Sequence, residues 1–109
     1  MRARLLPEAR EELDRSALRY ELERTGRGIR LLRRVDRALD LLEEYPAAGQ
    51  LWEEAATVEP VRRLPIRRFP FGLIYVESLL LVIAVAHDRQ APGYWADRLD
   101  PPGTSSNSG

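Results

Sequence analysis

Apolar residues recur at helical spacing in two successive stretches of the chain. In the first, they fall at i, i+4, i+8 and i+11, and two leucines widen the stripe: Ala9, Leu13, Ala17 and Tyr20, then Leu18 and Leu22. Pro7 and the acidic residues after it favour a helix start, and Thr25-Gly26 favours its end. This pattern predicts one amphipathic helix.

A second helix is predicted from Arg27-Gly28 to about Glu44. Its apolar positions again follow helical spacing: Ile29, Leu32, Val35, Ala38, Leu39 and Leu42. Tyr45-Pro46 ends the helix, because the residue before a proline is disfavoured in the α conformation. Two helices joined by so short a turn predict an antiparallel hairpin.

Extended segments make up most of the remaining chain. Leu79 to Ala86 is a run of eight apolar residues, which is typical of a buried central strand. The pattern also predicts strands over residues 2–6, 61–68 and 71–76, with a two-residue turn at Glu77-Ser78. Pro65 indicates that its strand lies at an edge or carries a bulge.

The order β-α-α-β-β-β predicts an α+β fold: an N-terminal strand and a helical hairpin packed on a twisted, mainly antiparallel sheet. Residues 46–60 are expected to form a loop and residues 94–99 a short C-terminal helix. A single domain is expected over residues 1–99. Residues 100–109 lack an apolar anchor and are expected to be a disordered tail.

Composition excludes several kinds of chemistry. The chain has 109 residues, no cysteine and one histidine. It therefore offers no thiol nucleophile or thiolate ligand, and no metal or cofactor is expected. The N-terminus turns acidic after two apolar residues and does not resemble a signal peptide, so we expect a cytoplasmic protein with no membrane association.

Charge is balanced overall but unevenly distributed. All 17 basic residues are arginine and the net charge is zero, which argues against a globally basic nucleic-acid binder. Between Pro60 and Gly72, however, four arginines occur without an acid: Arg62, Arg63, Arg67 and Arg68. A local basic patch is therefore predicted.

His87 is the first candidate for chemistry, since it directly follows the apolar strand. An imidazole there would serve as acid or base, or it would simply end the strand with a hydrogen bond. Arg89 and Tyr94 follow closely. Strand alternation places Arg63 with Arg67, and Arg62 with Arg68, on opposite faces.

Whichever arginine pair faces His87 and Tyr94 would form a cationic patch beside aromatic rings. Such a patch suits a phosphodiester with a stacked base, or an acidic partner segment. A solvated sheet face is the third alternative.

Three segments together resemble the RelE/ParE superfamily of bacterial toxins from type II toxin–antitoxin systems, also called plasmid stabilisation proteins. They are LDLLEEYPAAG, VRRLPIRRFPFGLIYVE and LLLVIAVAHDRQAPGYWADR. The similarity runs from about Arg4 to Arg98. The resemblance implies the same α+β fold and a cognate antitoxin that wraps the toxin.

The resemblance implies one of two targets. RelE-like toxins cut messenger RNA on the ribosome without a metal, and ParE-like toxins poison DNA gyrase. Under the first reading, His87, Tyr94 and Arg89 are the catalytic candidates, and Arg63, Arg67 and Arg68 would bind the substrate.

Two departures leave the mechanism open. RelE has an arginine where this chain has Gly72, and another basic residue where it has Asp88. Losing two cations would weaken the stabilisation of phosphate charge. A gyrase poison, or a degenerate toxin that only binds its antitoxin, is therefore the alternative. The sequence does not fix the oligomeric state or the antitoxin's binding mode.

Overall fold

The fold was analysed in a computed structural model, which describes residues 2–52 and 59–99. The expected tail over residues 100–109 lies outside these ranges. The elements in chain order are β1 (Arg4–Leu5), α1 (Pro7–Glu23), α2 (Arg27–Glu44), β2 (Gln50–Leu51), β3 (Val61–Pro65), β4 (Phe71–Val76) and β5 (Leu81–His87). Within the described ranges there are also two short 3₁₀ turns, Glu77–Leu79 and Ala96–Leu99.

The strands form one five-stranded sheet in the order β1-β5-β4-β3-β2. Only β1 runs parallel to its neighbour, β5, and the other described pairs are antiparallel. β4 and β5 are the best-paired strands and are buried over nearly their whole length. The sequence-based prediction of an α+β fold with a mainly antiparallel sheet is confirmed.

The helical hairpin covers one face of this sheet. The predicted α1 stripe is confirmed, with Ala9, Leu13, Ala17 and Tyr20 all buried against the sheet and α2. The prediction was wrong for Leu18, Leu22 and Ile29, whose side chains are 61%, 80% and 52% exposed.

The helix–helix contact explains why Ile29 is exposed and not buried. Gly28, not Ile29, faces α1, and it packs against the carbonyl oxygen of Ala17 and the side chain of Glu21. The buried face of α2 therefore runs through Gly28, Leu31, Val35 and Leu42. The same Glu21 carboxylate accepts hydrogen bonds from the amides of Gly26 and Gly28, at 2.9 and 3.1 Å, which fixes the turn between the helices.

The C-terminal segment covers the opposite face of the sheet. Trp95 is 1% exposed and packs on a second apolar layer: Val61, Ile74, Val76, Ile83, Ala84 and Ala86. Trp52 contacts Trp95 edge-on, with ring centroids 5.8 Å apart. The sheet is thus buried on both sides over its central strands.

Four local predictions need correction. The loop predicted over residues 46–60 contains β2, because Tyr75 orders its start: its hydroxyl donates to the Pro46 carbonyl and accepts from the Gly49 amide, at 2.6 and 2.9 Å. The two-residue turn at Glu77-Ser78 is instead a 3₁₀ turn, with Leu80 at a positive φ of 46°.

β3 and the C-terminal helix are both shorter than predicted. β3 ends at Pro65 and not near Arg68, because Arg67 and Arg68 form the turn into β4 and Arg68 has a positive φ of 70°. Pro65 lies beyond the two-residue pairing of β3 with β2, where its missing N–H is not needed. The C-terminal helix is reduced to the 3₁₀ turn Ala96–Leu99.

Gly28 provides a direct test of the helix–helix contact. A Cβ at this position would overlap the backbone carbonyl oxygen of Ala17, so Gly28→Ala should force the helices apart and lower the free energy of unfolding by about 1–3 kcal/mol. Arg33→Ala, on the exposed side of α2, should change it by less than about 0.5 kcal/mol. Urea unfolding measures both. Equal stability of the two variants would contradict the close approach of the helices.

Candidate functional site

The Glu12 carboxylate lies where α1 crosses the open edge of β5. β1 pairs only with Leu81 and Val82, so among the described residues no strand lies beside the later part of β5 on that side. Glu12 accepts a hydrogen bond there from the Val85 amide at 3.0 Å. Arg98 donates to the Ile83 carbonyl at 2.9 Å. Two side chains thus satisfy backbone groups that a longer β1 would have paired.

Glu12 and Arg98 also bind each other through two parallel hydrogen bonds, at 2.8 and 2.9 Å. The Tyr94 hydroxyl donates to the same carboxylate at 2.7 Å. Burial alone would raise the pKa of Glu12, but the hydrogen bonds from Arg98, Tyr94 and the Val85 amide outweigh it and lower the pKa. Burial and the Glu12 carboxylate together raise the pKa of Tyr94 well above its ordinary value.

A cleft of about 460 Å³ opens beside this network, between α1 and the end of β5. Its basic side chains come from two elements: Arg15 and Arg19 from α1, and His87 and Arg89 from the end of β5 and the turn after it. Phe71 and Val85 form part of its apolar lining. We call this the helix-side cleft. It combines one imidazole with three guanidinium groups.

The position of the His87 ring is fixed by its neighbours. It packs edge-on against Phe71, with ring centroids 5.0 Å apart. Its Nδ1 accepts a hydrogen bond from the Arg89 amide at 3.0 Å, and its own amide donates to the Gln90 side chain at 2.7 Å. A neutral His87 therefore carries its proton on Nε2. His87 therefore both ends β5 with hydrogen bonds and lines a cleft.

A second cleft, of about 380 Å³, lies on the face of the sheet away from the helices. His87 and Tyr94 line it together with Trp52, Arg63, Asp88 and Trp95. Arg63 donates to the Asp88 carboxylate at 2.5 Å, so the charge of this arginine is offset within the cleft.

Gly72 permits that arrangement. The Arg63 guanidinium lies directly over Gly72, and a Cβ there would come within 2.6 Å of its Nε. Gly72 and Asp88, the two departures from the RelE pattern, are thus parts of one local structure: the glycine makes room for Arg63 and the aspartate pairs with it.

Arg67 and Arg68 lie elsewhere, on the turn between β3 and β4 beside α2. Arg68 lines a shallow depression of about 370 Å³ with Phe69 and five α2 arginines: Arg27, Arg30, Arg33, Arg34 and Arg37. Alternation could not place these two residues, because the strand ends at Pro65. The structure therefore brings His87 together with Arg89 on one face and with Arg63 and Tyr94 on the other, but groups Arg67 and Arg68 with α2.

Sequence reasoning missed three charged residues of the helix-side cleft. Glu12, Arg15 and Arg19 lie on α1 beside its buried stripe, at i, i+3 and i+7. That spacing was the available signal, because it puts all three on one flank of the helix. It could not show that β5 ends against this flank.

The architecture is that of a small α+β protein with a helical hairpin on an open sheet. It is compatible with a RelE/ParE-like fold. The family comparison is specific. The model of the ParE toxin of type II toxin–antitoxin systems, parDE, matches residues 3–92. The chain belongs to this toxin family, and membership implies an antitoxin partner. Neither the curated proteins nor the solved structures compared with the chain give a significant match.

Within the described ranges, no helix combines the length and the apolar character needed to cross a membrane.

The Glu12 network predicts a pH-dependent contribution to stability. Because the folded-state pKa of Glu12 is lowered, its contribution is present above the unfolded value near 4.5 and is lost as the pH falls through the folded value. At pH 7, Glu12→Gln should lower the free energy of unfolding by about 2 kcal/mol, since Arg98 loses its charged partner in a partly buried site. The deficit should shrink steadily below pH 4.5 in urea titrations.

The neighbouring Glu11 is the matched control. Its pair with Arg15 is exposed on the same helix, at 69% and 75% side-chain exposure, so Glu11→Gln should change stability by less than about 0.5 kcal/mol at pH 7. A Glu12 variant that behaves like the Glu11 variant, or keeps its deficit at pH 3, would contradict this account of the network.

Proposed function

We propose that this toxin arrests growth by binding DNA gyrase in the cytoplasm, without catalysing a reaction of its own. The observation that carries the proposal is the separation of the groups that RNA cleavage would need. Arg67 and Arg68 lie beside α2, away from the cleft that His87 lines with Arg63 and Tyr94. In that cleft Arg63 is already paired with Asp88, and the Tyr94 hydroxyl already donates to Glu12. Membership in the ParE toxin family supports the same target.

The Tyr94 hydroxyl is poorly suited to proton transfer. It already donates to Glu12, and its raised pKa makes the phenolate form rarer at neutral pH. An efficient general acid or base has a pKa close to the working pH. Tyr94 therefore serves in this proposal to hold the C-terminal segment against α1.

The cleft away from the helices is also unsuited to phosphate chemistry. Arg63 is paired with Asp88, whose carboxylate would repel a phosphodiester placed beside His87. Stabilising the charge that develops on a cleaved phosphate calls for free cations aimed at it. This cleft instead offers a neutral, aromatic lining from Trp52, Tyr94 and Trp95, which suits protein contact.

One observation favours ribonuclease activity as the second candidate. The helix-side cleft places His87 near Arg15, Arg19 and Arg89, and its imidazole Nε2 is not used in the contact with Arg89. In that case His87 would be the acid or base and the three arginines would bind the phosphate. The cleft contains no tyrosine, so this arrangement differs from the one that the sequence resemblance implies.

We further propose that the cognate antitoxin silences the toxin by covering its exposed apolar surface. Leu18 and Leu22 on α1 and Ile29 on α2 are more than half exposed near the hairpin turn. An amphipathic helix from the antitoxin would bury such side chains. Co-expression of the neighbouring gene product should restore growth, and Leu22→Glu in the toxin should weaken the complex.

His87→Ala separates the two candidate mechanisms, and Tyr94→Phe tests the ribonuclease arrangement that the sequence resemblance implies. His87→Ala and Tyr94→Phe should each retain growth arrest on induction, with transcripts intact by primer extension, because neither side chain is used in chemistry. A ribonuclease that depends on His87 should lose about 10²–10⁴-fold of its cleavage rate in His87→Ala. Arg10→Ala, on the exposed side of α1, is the control for expression.

Cleavage of transcripts by the wild-type protein, lost in His87→Ala, would overturn the proposal in favour of the ribonuclease. Absence of growth arrest by the wild-type chain, with antitoxin binding preserved, would indicate a degenerate toxin.

A further inference from the structure

The exposed side of α2 carries a continuous row of arginines. Arg27, Arg30, Arg34 and Arg37 follow at i, i+3, i+7 and i+10, which places them along one side of the helix. Arg33 lies beside this row, and the turn between β3 and β4 adds Arg67 and Arg68. We call these seven residues the arginine surface. Neither cleft beside His87 includes any of them.

The arginine surface is largely uncompensated by acidic side chains. In the described part of the chain, its one ion pair joins Arg27 to Glu23, at a long 3.8 Å. By helical periodicity Asp36 and Glu43 lie away from this row. Asp40 and Glu44 lie nearer to Arg33 and Arg37, but among the described residues they form no ion pair with them. Partial desolvation and the positive charges of Arg37, Arg68 and Arg67 lower the pKa of Arg34. Cations held this close without counter-ions favour an external anion.

We propose that the arginine surface binds the phosphate backbone of duplex DNA. Guanidinium groups present a planar fork of donors that matches phosphate oxygens. The row from Arg27 to Arg37 covers about 15 Å of helix axis at ~1.5 Å per residue. That length corresponds to about four phosphates of one strand at ~3.4 Å each.

The aromatic residues beside the surface favour duplex over single-stranded nucleic acid. Single strands are held mainly by bases that stack on exposed rings. Here Tyr20 is 8% exposed and packs edge-on against the partly buried Phe69, with centroids 5.3 Å apart. Arg27 covers the Tyr20 ring at 4.6 Å. These rings support the arginines and leave no platform for a base.

The same lining argues against an acidic helix from a partner protein. A docked amphipathic helix needs an apolar seam as well as charge. Around the central depression the lining consists of six arginines and Phe69, and the apolar side chains Ala38, Leu41 and Leu64 line only the smaller depression at one end of the surface. Binding of a nucleic-acid phosphate backbone requires only the cations and no apolar seam.

This inference does not rest on gyrase as the target, because it concerns direct contact with DNA. If both hold, the arginine surface would place the toxin on the DNA that its target enzyme handles. The balancing acidic charge elsewhere on this net-neutral chain would then restrict contact to this one side.

The test is fluorescence anisotropy with the purified full-length chain, a labelled 20-base-pair duplex of arbitrary sequence and no gyrase. Arg30→Ala/Arg37→Ala removes two exposed cations from the surface at positions where alanine favours the helix. It should weaken binding about tenfold at low salt and reduce the slope of log K against log salt by about 2.

Arg4→Ala/Arg10→Ala is the matched control, since it removes two exposed arginines outside the surface. It should leave both the affinity and the slope near the wild-type values. Equal losses in the two double variants, or no binding of the duplex, would overturn the proposal. So would tighter binding of a single strand of equal length, or binding of a polyglutamate peptide in place of the duplex.

Discussion

The structure depends on one carboxylate at the open edge of the sheet. Because β1 is only two residues long, no described strand pairs with the later part of β5 on the side away from β4, and Glu12 takes the position of the missing partner. The same carboxylate holds Arg98 and Tyr94. It therefore ties α1, β5 and the C-terminal segment together, and its charge is offset in a partly buried site. A neutral side chain could not accept hydrogen bonds from the Val85 amide and the Tyr94 hydroxyl and also offset the charge of Arg98.

This constraint also organises the functional surfaces. With Tyr94 engaged at the edge, the end of β5 separates a basic cleft under α1 from an aromatic cleft on the other face. Arg63 is paired with Asp88 above Gly72, so its cleft is close to neutral. A larger group of arginines, with few acidic partners, lies along α2. A protein of zero net charge thus carries chemically distinct surfaces, one aromatic and close to neutral and others strongly basic.

Much of the fold could be predicted from local periodicity. The buried stripe of α1 and the apolar run in β5 follow directly from spacing and burial. Periodicity does not show which flank of a wide apolar stripe its neighbour covers, and Leu22 and Ile29 were misassigned for that reason. Less of the candidate site could be predicted from the sequence. Glu12, Arg15 and Arg19 acquire their roles from where β5 ends against α1, which depends on the length of β1 and has no local signal.

The central claim is that this family member acts by binding gyrase. The most direct measurement combines purified toxin with gyrase, ATP and supercoiled plasmid, and quantifies linear DNA after denaturation of the enzyme. We predict that linear plasmid accumulates with toxin concentration, that none forms without gyrase, and that ribosome-bound messenger RNA incubated with the same toxin stays intact. Unchanged supercoiling together with cleavage of that messenger RNA would contradict the account.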